Sequence, residues 1–350
     1  MLASYPSHQI QDMGSNLSKI VIIGLSLAFV GFKLFSVTNE GTFLTDWVAA
    51  LAGNARAQNN VGWEHLNGQG VTKDYGNALY RFNKAAENGH IKGTENIGWM
   101  YLNGFRVQKD YGQALNLFRQ VADQGDVDGE NNLGSMYLDG QGVAQDYEQA
   151  MIWFQKAAAQ KDPNAEDNLG HMYRNGYGVS RDYSQALSWF HKSADQGYSV
   201  AQVNIGWMYL HGEGLPQDSN LALSWFKKAA SQDNAEAQDD IGFMYLDGEG
   251  IPKDFPKALA WFQKSASNDY PQAQNNIGFM YQNGEGVPRD YNQSVAWYQK
   301  AANLGLAAAQ FDLGVMYEEG PGVQKNLPVA LYWFKKAAAQ GDSAAKTRIK

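Results

Sequence analysis

The stretch PNAEDNLGHMYRNGYGVSRDYSQALSWFHKSADQGY, residues 163–198, decides the fold. Within it Ala165, Leu169, Met172 and Tyr173 recur at spacings that place them on one broad face of a helix. Gly176 and Gly178 then supply a turn in which positive φ carries no Cβ penalty. Asp182 stands where a helix N-cap accepts backbone N–H groups, and Gln185 follows three residues later in the capping-box position. A second helix is predicted after it, carrying Ala186, the aromatic pair Trp189-Phe190 and Ala194.

Outward from this stretch the same pattern recurs every 36 residues, without insertion or deletion, across residues 55–342. The clearest landmark is a glycine: Gly62, Gly98, Gly134, Gly170, Gly206, Gly242, Gly278 and Gly314. Eight units follow: 55–90, 91–126, 127–162, 163–198, 199–234, 235–270, 271–306 and 307–342. A sustained period of this size marks stacked helical repeats, so the expected fold class is all-α. A glycine inside a helix costs about 1 kcal/mol against alanine, so its recurrence predicts helices approaching too closely for a Cβ. Asp fills position 20 of seven units and Asn326 the eighth, and Gln113, Gln149, Gln185 and Gln293 complete capping boxes. The pairs at positions 27 and 28, from Trp153-Phe154 to Trp333-Phe334, are expected to be core; Trp225→Ala should then cost about 3–5 kcal/mol.

The run Ala-x-x-Asn-Leu-Gly-x-Met-Tyr, then Gly-x-Gly-Val, Asp-Tyr-x-x-Ala and Trp-Phe-x-Lys-Ala-Ala, resembles the Sel-one-like repeat family over residues 55–342. The resemblance implies relatives of the tetratricopeptide repeats with a longer loop between helices. It implies a right-handed superhelical solenoid of antiparallel helix pairs that serves as an adaptor for protein complexes. Bacterial members often act at the cell envelope or in contacts with host cells.

The pattern breaks at its ends. Unit 1 has Glu64 and His65 in place of Met and Tyr, and Arg81 in place of Trp, as expected of a terminal repeat with a more polar face. Unit 2 has Arg106 for its second loop glycine and Leu117 at the Trp position, read either as drift or as a local binding feature. Residues 1–19 form an N-terminal tail. Residues 20–37 are apolar apart from Lys33, glycine and serine, and read as a transmembrane or signal-anchor helix, with a cleavable signal peptide as competitor. Residues 38–54 hold a linker and a solitary capping helix at 45–53, which Thr45 or Asp46 would cap and whose Trp47 would cover the first unit. Residues 343–350 form a C-terminal tail. The expected location is a single-pass membrane protein with its repeats on the non-cytoplasmic side, or an exported protein if the signal is cleaved.

Composition removes several functions. The chain has no Cys, which excludes disulfides, thiolate zinc sites and a cysteine nucleophile. Net charge is −8, and Lys and Arg are scattered, so no basic stripe marks nucleic-acid binding. The Gly-x-Gly loops follow helices where a dinucleotide fingerprint needs a strand. The histidines (His8, His65, His90, His171, His191, His211) show no metal-ligand pair. Some cysteine-rich relatives are linked to penicillin binding or β-lactamase activity, but they rely on paired cysteines. The passable Ser224-Trp225-Phe226-Lys227 motif belongs to the repeat pattern. No cofactor, metal or catalytic residue is expected, and no enzyme.

The remaining expectation is a scaffold that binds a protein or peptide. On the first helix, position 6 carries Asn60, Asn96, Asn132, Asn168, Asn204 and Asn276, and position 9 carries Trp63, Trp99, Trp207, Phe243 and Phe279. Both lie opposite the Ala-Leu-Met stripe, on the face that would line a concave groove. Large aromatics on a polar face suit an interaction surface. The alternative is that they pack on a neighbouring helix while the asparagines cap backbone between units. A further alternative is an envelope protein binding peptidoglycan or another glycan through these aromatics.

Overall fold

The computed structural model describes residues 40–349. The tail and apolar run at 1–37 lie outside the described residues. Among the described residues no helix is long and apolar enough to cross a membrane. All regular structure there is helical. Each repeat consists of a first helix, such as Pro163–Asn175, and a second, such as Tyr183–Asp195. The chain divides into two compact units, one ending at Leu117 and one beginning at Phe118.

The recurrent glycine is explained by the aromatic at position 28. A Cβ on Gly170 would lie 2.5 Å from the Phe190 ring, and one on Gly206 would lie 2.6 Å from the Phe226 ring. The same holds for Gly62 with Phe82, Gly134 with Phe154, Gly242 with Phe262, Gly278 with Tyr298 and Gly314 with Phe334. Each ring occupies the volume that any other residue would fill, so the two helices of a repeat lock edge to backbone.

The loop between them is tied at both ends. Gly176 caps the first helix in the left-handed region at φ 74°, and its N–H bonds the Met172 carbonyl. The Asp182 N–H then donates to the Tyr173 carbonyl at 2.9 Å, and its side chain accepts from the N–H groups of Ser184 and Gln185. The equivalent bond recurs from Asp74 to His65 through Asn326 to Tyr317. This closure corrects the capping-box expectation. The Asp carboxylate bonds the backbone N–H of Gln113, Gln149, Gln185 and Gln293. The Asp N–H, however, is already taken by the Tyr carbonyl, which leaves no place for a returning Gln side chain.

The aromatic pair is split. Phe154, Phe190, Phe226 and Phe262 are fully buried, whereas Trp153, Trp189, Trp225 and Trp261 are half-buried. Position 28 shares a stripe with positions 24 and 32, and position 27 sits about 100° round the helix from it. Each Trp instead lies along the edge of the core ahead of it: Trp189 on the Ala150-Phe154-Leu169 cluster, Trp225 on the Phe190-Ile205 cluster. A Lys three residues later covers its outer face, Lys156 at 3.7 Å from the Trp153 ring centroid and Lys192 at 3.5 Å from Trp189. Only in the last repeat does the Trp, Trp333, become buried.

The capping helix runs Glu40–Leu51, so Thr45 and Asp46 fall inside it and do not cap it. Asp46 accepts from Asn60 at 3.0 Å, Ala50 packs with Ala57 and Val61, and Trp47 is exposed. At the other end Ser343–Arg348 begins another first helix, in which Ala345 is buried and Arg348 pairs with Glu318.

Candidate partner-binding face

The position-6 asparagines are used between repeats. The amide of Asn96 donates to Asn59 at 2.8 Å, Asn168 to Asn131 at 3.0 Å, Asn204 to Asp167 at 2.8 Å and Asn276 to Asp239 at 3.0 Å. The acceptor always occupies position 5 of the preceding repeat. Asn204 also meets the His171 ring at 3.1 Å. Asn132 is half-buried. These side chains set the register of neighbouring first helices, each giving an amide N–H to the preceding repeat. Sequence reading passed over position 5, although its Asn59, Asn131, Asp167 and Asp239 recur in phase.

A second polar pair recurs within repeats. Gln196 donates to Glu166 at 2.7 Å, Gln232 to Gln202 at 2.9 Å and Gln340 to Gln310 at 2.9 Å. Gln202 and Gln310 in turn reach the Ala194 and Ala302 carbonyls at the end of the previous second helix. These groups tie helix ends and leave little for a ligand.

The position-9 aromatics are part core and part surface. Trp207 meets Phe226 edge-on at 5.9 Å and stacks on His211 at 4.9 Å. Phe243 and Phe279 are 43% and 42% exposed, which is unusual for phenylalanine on a helix face this polar. In the first unit, Trp63 lies 6.1 Å from Phe82 and 6.2 Å from Trp99; Trp99 stacks on Phe105 and Phe105 on Tyr75. Trp63 and Trp207 thus each set an edge against the buried aromatic of their own repeat, Phe82 and Phe226.

In the second unit Trp207 and Phe243 share a cavity of about 290 Å³ with Leu210, Glu236, Asp239, Asp240, Met244, Tyr270 and Gln272. Phe279 is not part of its lining. Burial pushes Asp240 up to about 8, with the Glu236 and Asp239 charges adding to the effect and a hydrogen bond from Trp207 opposing it. Burial likewise raises Asp239 to about 7, against the bond from Asn276. The Tyr270 phenol is raised by burial and then by the same three carboxylates. Elsewhere on this face burial lifts Asp167 to about 7 and Asp312 to about 6, and lowers His171 to about 4. The sequence signal for this acidic pocket was Asp240 standing where most units have Asn.

The family described as Sel1 repeat matches residues 55–90, 93–126, 127–162, 163–198, 199–234, 235–270, 271–306 and 307–342. Among solved structures, c5321, a protective antigen present in uropathogenic Escherichia coli strains displaying an SLR fold, is 31% identical with a TM-score of 0.54. That alignment covers 90% of this chain and 67% of the antigen. A Sel1 repeat protein from Oxalobacter formigenes is 30% identical with a TM-score of 0.56, over 90% of this chain and 94% of that one. Yeast Tom70 is 14% identical with a TM-score of 0.51, over 85% of this chain and 57% of its own, and shares the fold alone. Among curated proteins none matches.

Proposed function

The chain belongs to the Sel1 repeat family, and from that premise we propose that it is a binding scaffold whose first-helix face carries a protein or peptide segment. In this reading the first helices present the binding face, and the aromatics at position 9 make the contact. The observation that carries the reading is the exposure of Phe243 and Phe279, in consecutive repeats and beside the half-buried Trp207. Trp63 and Trp99 occupy the same position in repeats 1 and 2. Asn60, Asn96, Asn132, Asn168, Asn204 and Asn276 belong to the proposed face, and the amides of Asn96, Asn168, Asn204 and Asn276 hold neighbouring first helices together beneath the partner. Binding, without catalysis, is the proposed activity.

The test is a triple substitution, Trp207→Ala with Phe243→Ala and Phe279→Ala. Partner binding, measured after crosslinking capture in the native cell, should weaken by more than about 2 kcal/mol, since aromatic anchors are typical hot spots. Unchanged capture would remove these aromatics from the interface. Retention on peptidoglycan sacculi with no protein captured would shift the reading to a glycan ligand.

The reading also tethers the scaffold through the apolar residues 20–37, with the repeats on the non-cytoplasmic side. The full chain should then stay with membranes through carbonate extraction, and a chain lacking residues 1–39 should be released. A mature N-terminus near Gly53 would replace the tether by a cleaved signal.

A further inference from the structure

Neighbouring first helices of repeats 4 and 5, and of repeats 6 and 7, share one pairing. Position 6 donates to position 5 of the repeat before, as Asn204 does to Asp167 and Asn276 to Asp239. The step from repeat 5 to repeat 6 breaks it. Position 5 is there the buried Val203, which offers no acceptor, and position 6 is Asp240. The Asp240 Oδ2 atom is buried and has no hydrogen-bond partner. The cavity of about 290 Å³ lies at this break, with the Trp207 and Phe243 rings as apolar walls and Glu236, Asp239 and Asp240 among its lining. Among the described residues no Lys or Arg forms an ion pair with any of these three carboxylates.

Each of these features selects the occupant. A buried carboxylate oxygen without a counter-charge, as at Asp240, is costly, and an arriving cation offsets that cost. Small-molecule sites span about 300–1,000 Å³, so this cavity suits one side chain better than a cofactor. Two aromatic walls beside carboxylates favour a planar, weakly hydrated cation over a compact ammonium. The chain's net charge of −8 favours a basic segment approaching it.

We propose that the cavity binds the guanidinium of an arginine on the partner segment, stacked against Trp207 and Phe243 and donating hydrogen bonds to Asp240 and its neighbouring carboxylates. This rests on the scaffold reading above and gives the partner its chemistry.

The probe is Nα-acetyl-arginine methylamide, titrated into the full chain labelled with ¹⁵N-tryptophan while the Trp207 indole N–H resonance is followed. The citrulline analogue, equal in shape and uncharged, is the control. The arginine probe should shift Trp207 saturably, and citrulline should bind about tenfold or more weakly. Asp240→Asn should weaken the arginine probe by a similar factor, and Glu236→Gln, which leaves the Asp240 carboxyl in place, should weaken it less. Equal binding of both probes, or a Trp207 resonance unmoved up to the solubility limit of the arginine probe, overturns the assignment. The two readings fail separately. Partner capture lost on Phe279→Ala, with no arginine response at Trp207, removes the pocket and leaves the scaffold. An arginine response with capture indifferent to all three alanine changes does the reverse.

Discussion

Replacing Phe226 by Ala should lower the unfolding free energy by about 3–5 kcal/mol, more than Trp225→Ala does. Phe226 is fully buried and sits over Gly206, while Trp225 keeps one face toward Lys228 and solvent. The cavity left by the ring cannot close, because the backbone at Gly206 is held by its own helix. The converse change tests the same contact. Gly206→Ala drives a Cβ to 2.6 Å from the ring and should cost about 1–3 kcal/mol by overpacking. In a Phe226→Leu background that cost should shrink, as expected for residues in direct contact. Denaturant midpoints measure each of these variants against the parent chain. A Trp225→Ala loss exceeding that of Phe226→Ala would return the Trp to the core.

Raising the pH from about 5 to about 8.5 should destabilise the repeats by at least about 2 kcal/mol. Asp240, Asp239, Asp167 and Asp312 are raised to about 8, 7, 7 and 6. A carboxyl raised in the folded state binds its proton more tightly there than in the unfolded chain. Its folded form therefore loses ground as pH climbs from the unfolded value through the folded one. His171, lowered to about 4 by burial, acts in the opposite sense: it adds stability above its unfolded value that is lost as pH falls toward 4. Four carboxyls outweigh one imidazole below about pH 6.5, and above that the imidazole contributes no further change. The urea midpoint should fall across this range, and Asp240→Asn should flatten the fall and raise the midpoint at the alkaline end. A midpoint that rises with pH would contradict the burial of these carboxyls.

The repeat period, the two helices of each unit and the role of the glycine were legible in the sequence, because each depends on a spacing repeated eight times. Periodicity could not rank the two aromatics of a pair. Trp225 and Phe226 are adjacent, so only the angular position of Ala222 and Ala230 shows which faces inward. Nor could composition separate an asparagine that faces a partner from one that faces the preceding repeat. That required the acceptor 37 residues earlier, as with Asn204 and Asp167. The acidic cavity was hidden for a related reason: Asp240 reads as a mild variant of Asn until Val203, from the previous repeat, is placed beside it. The capping helix was legible because Ala49, Ala50 and Gly53 fall in frame with the Ala-Ala-x-x-Gly ending of a second helix. Its start was misplaced because Thr45 and Asp46 look like caps and are interior residues.

The most direct measurement is photo-crosslinking from single positions of the full chain in its native cell. Benzoylphenylalanine is placed at Phe243 or Phe279 on the first helices, or at the exposed Lys227 on a second helix. The scaffold account predicts protein adducts from Phe243 and Phe279 and none from Lys227. Adducts from Lys227, with Phe243 and Phe279 silent, would contradict it.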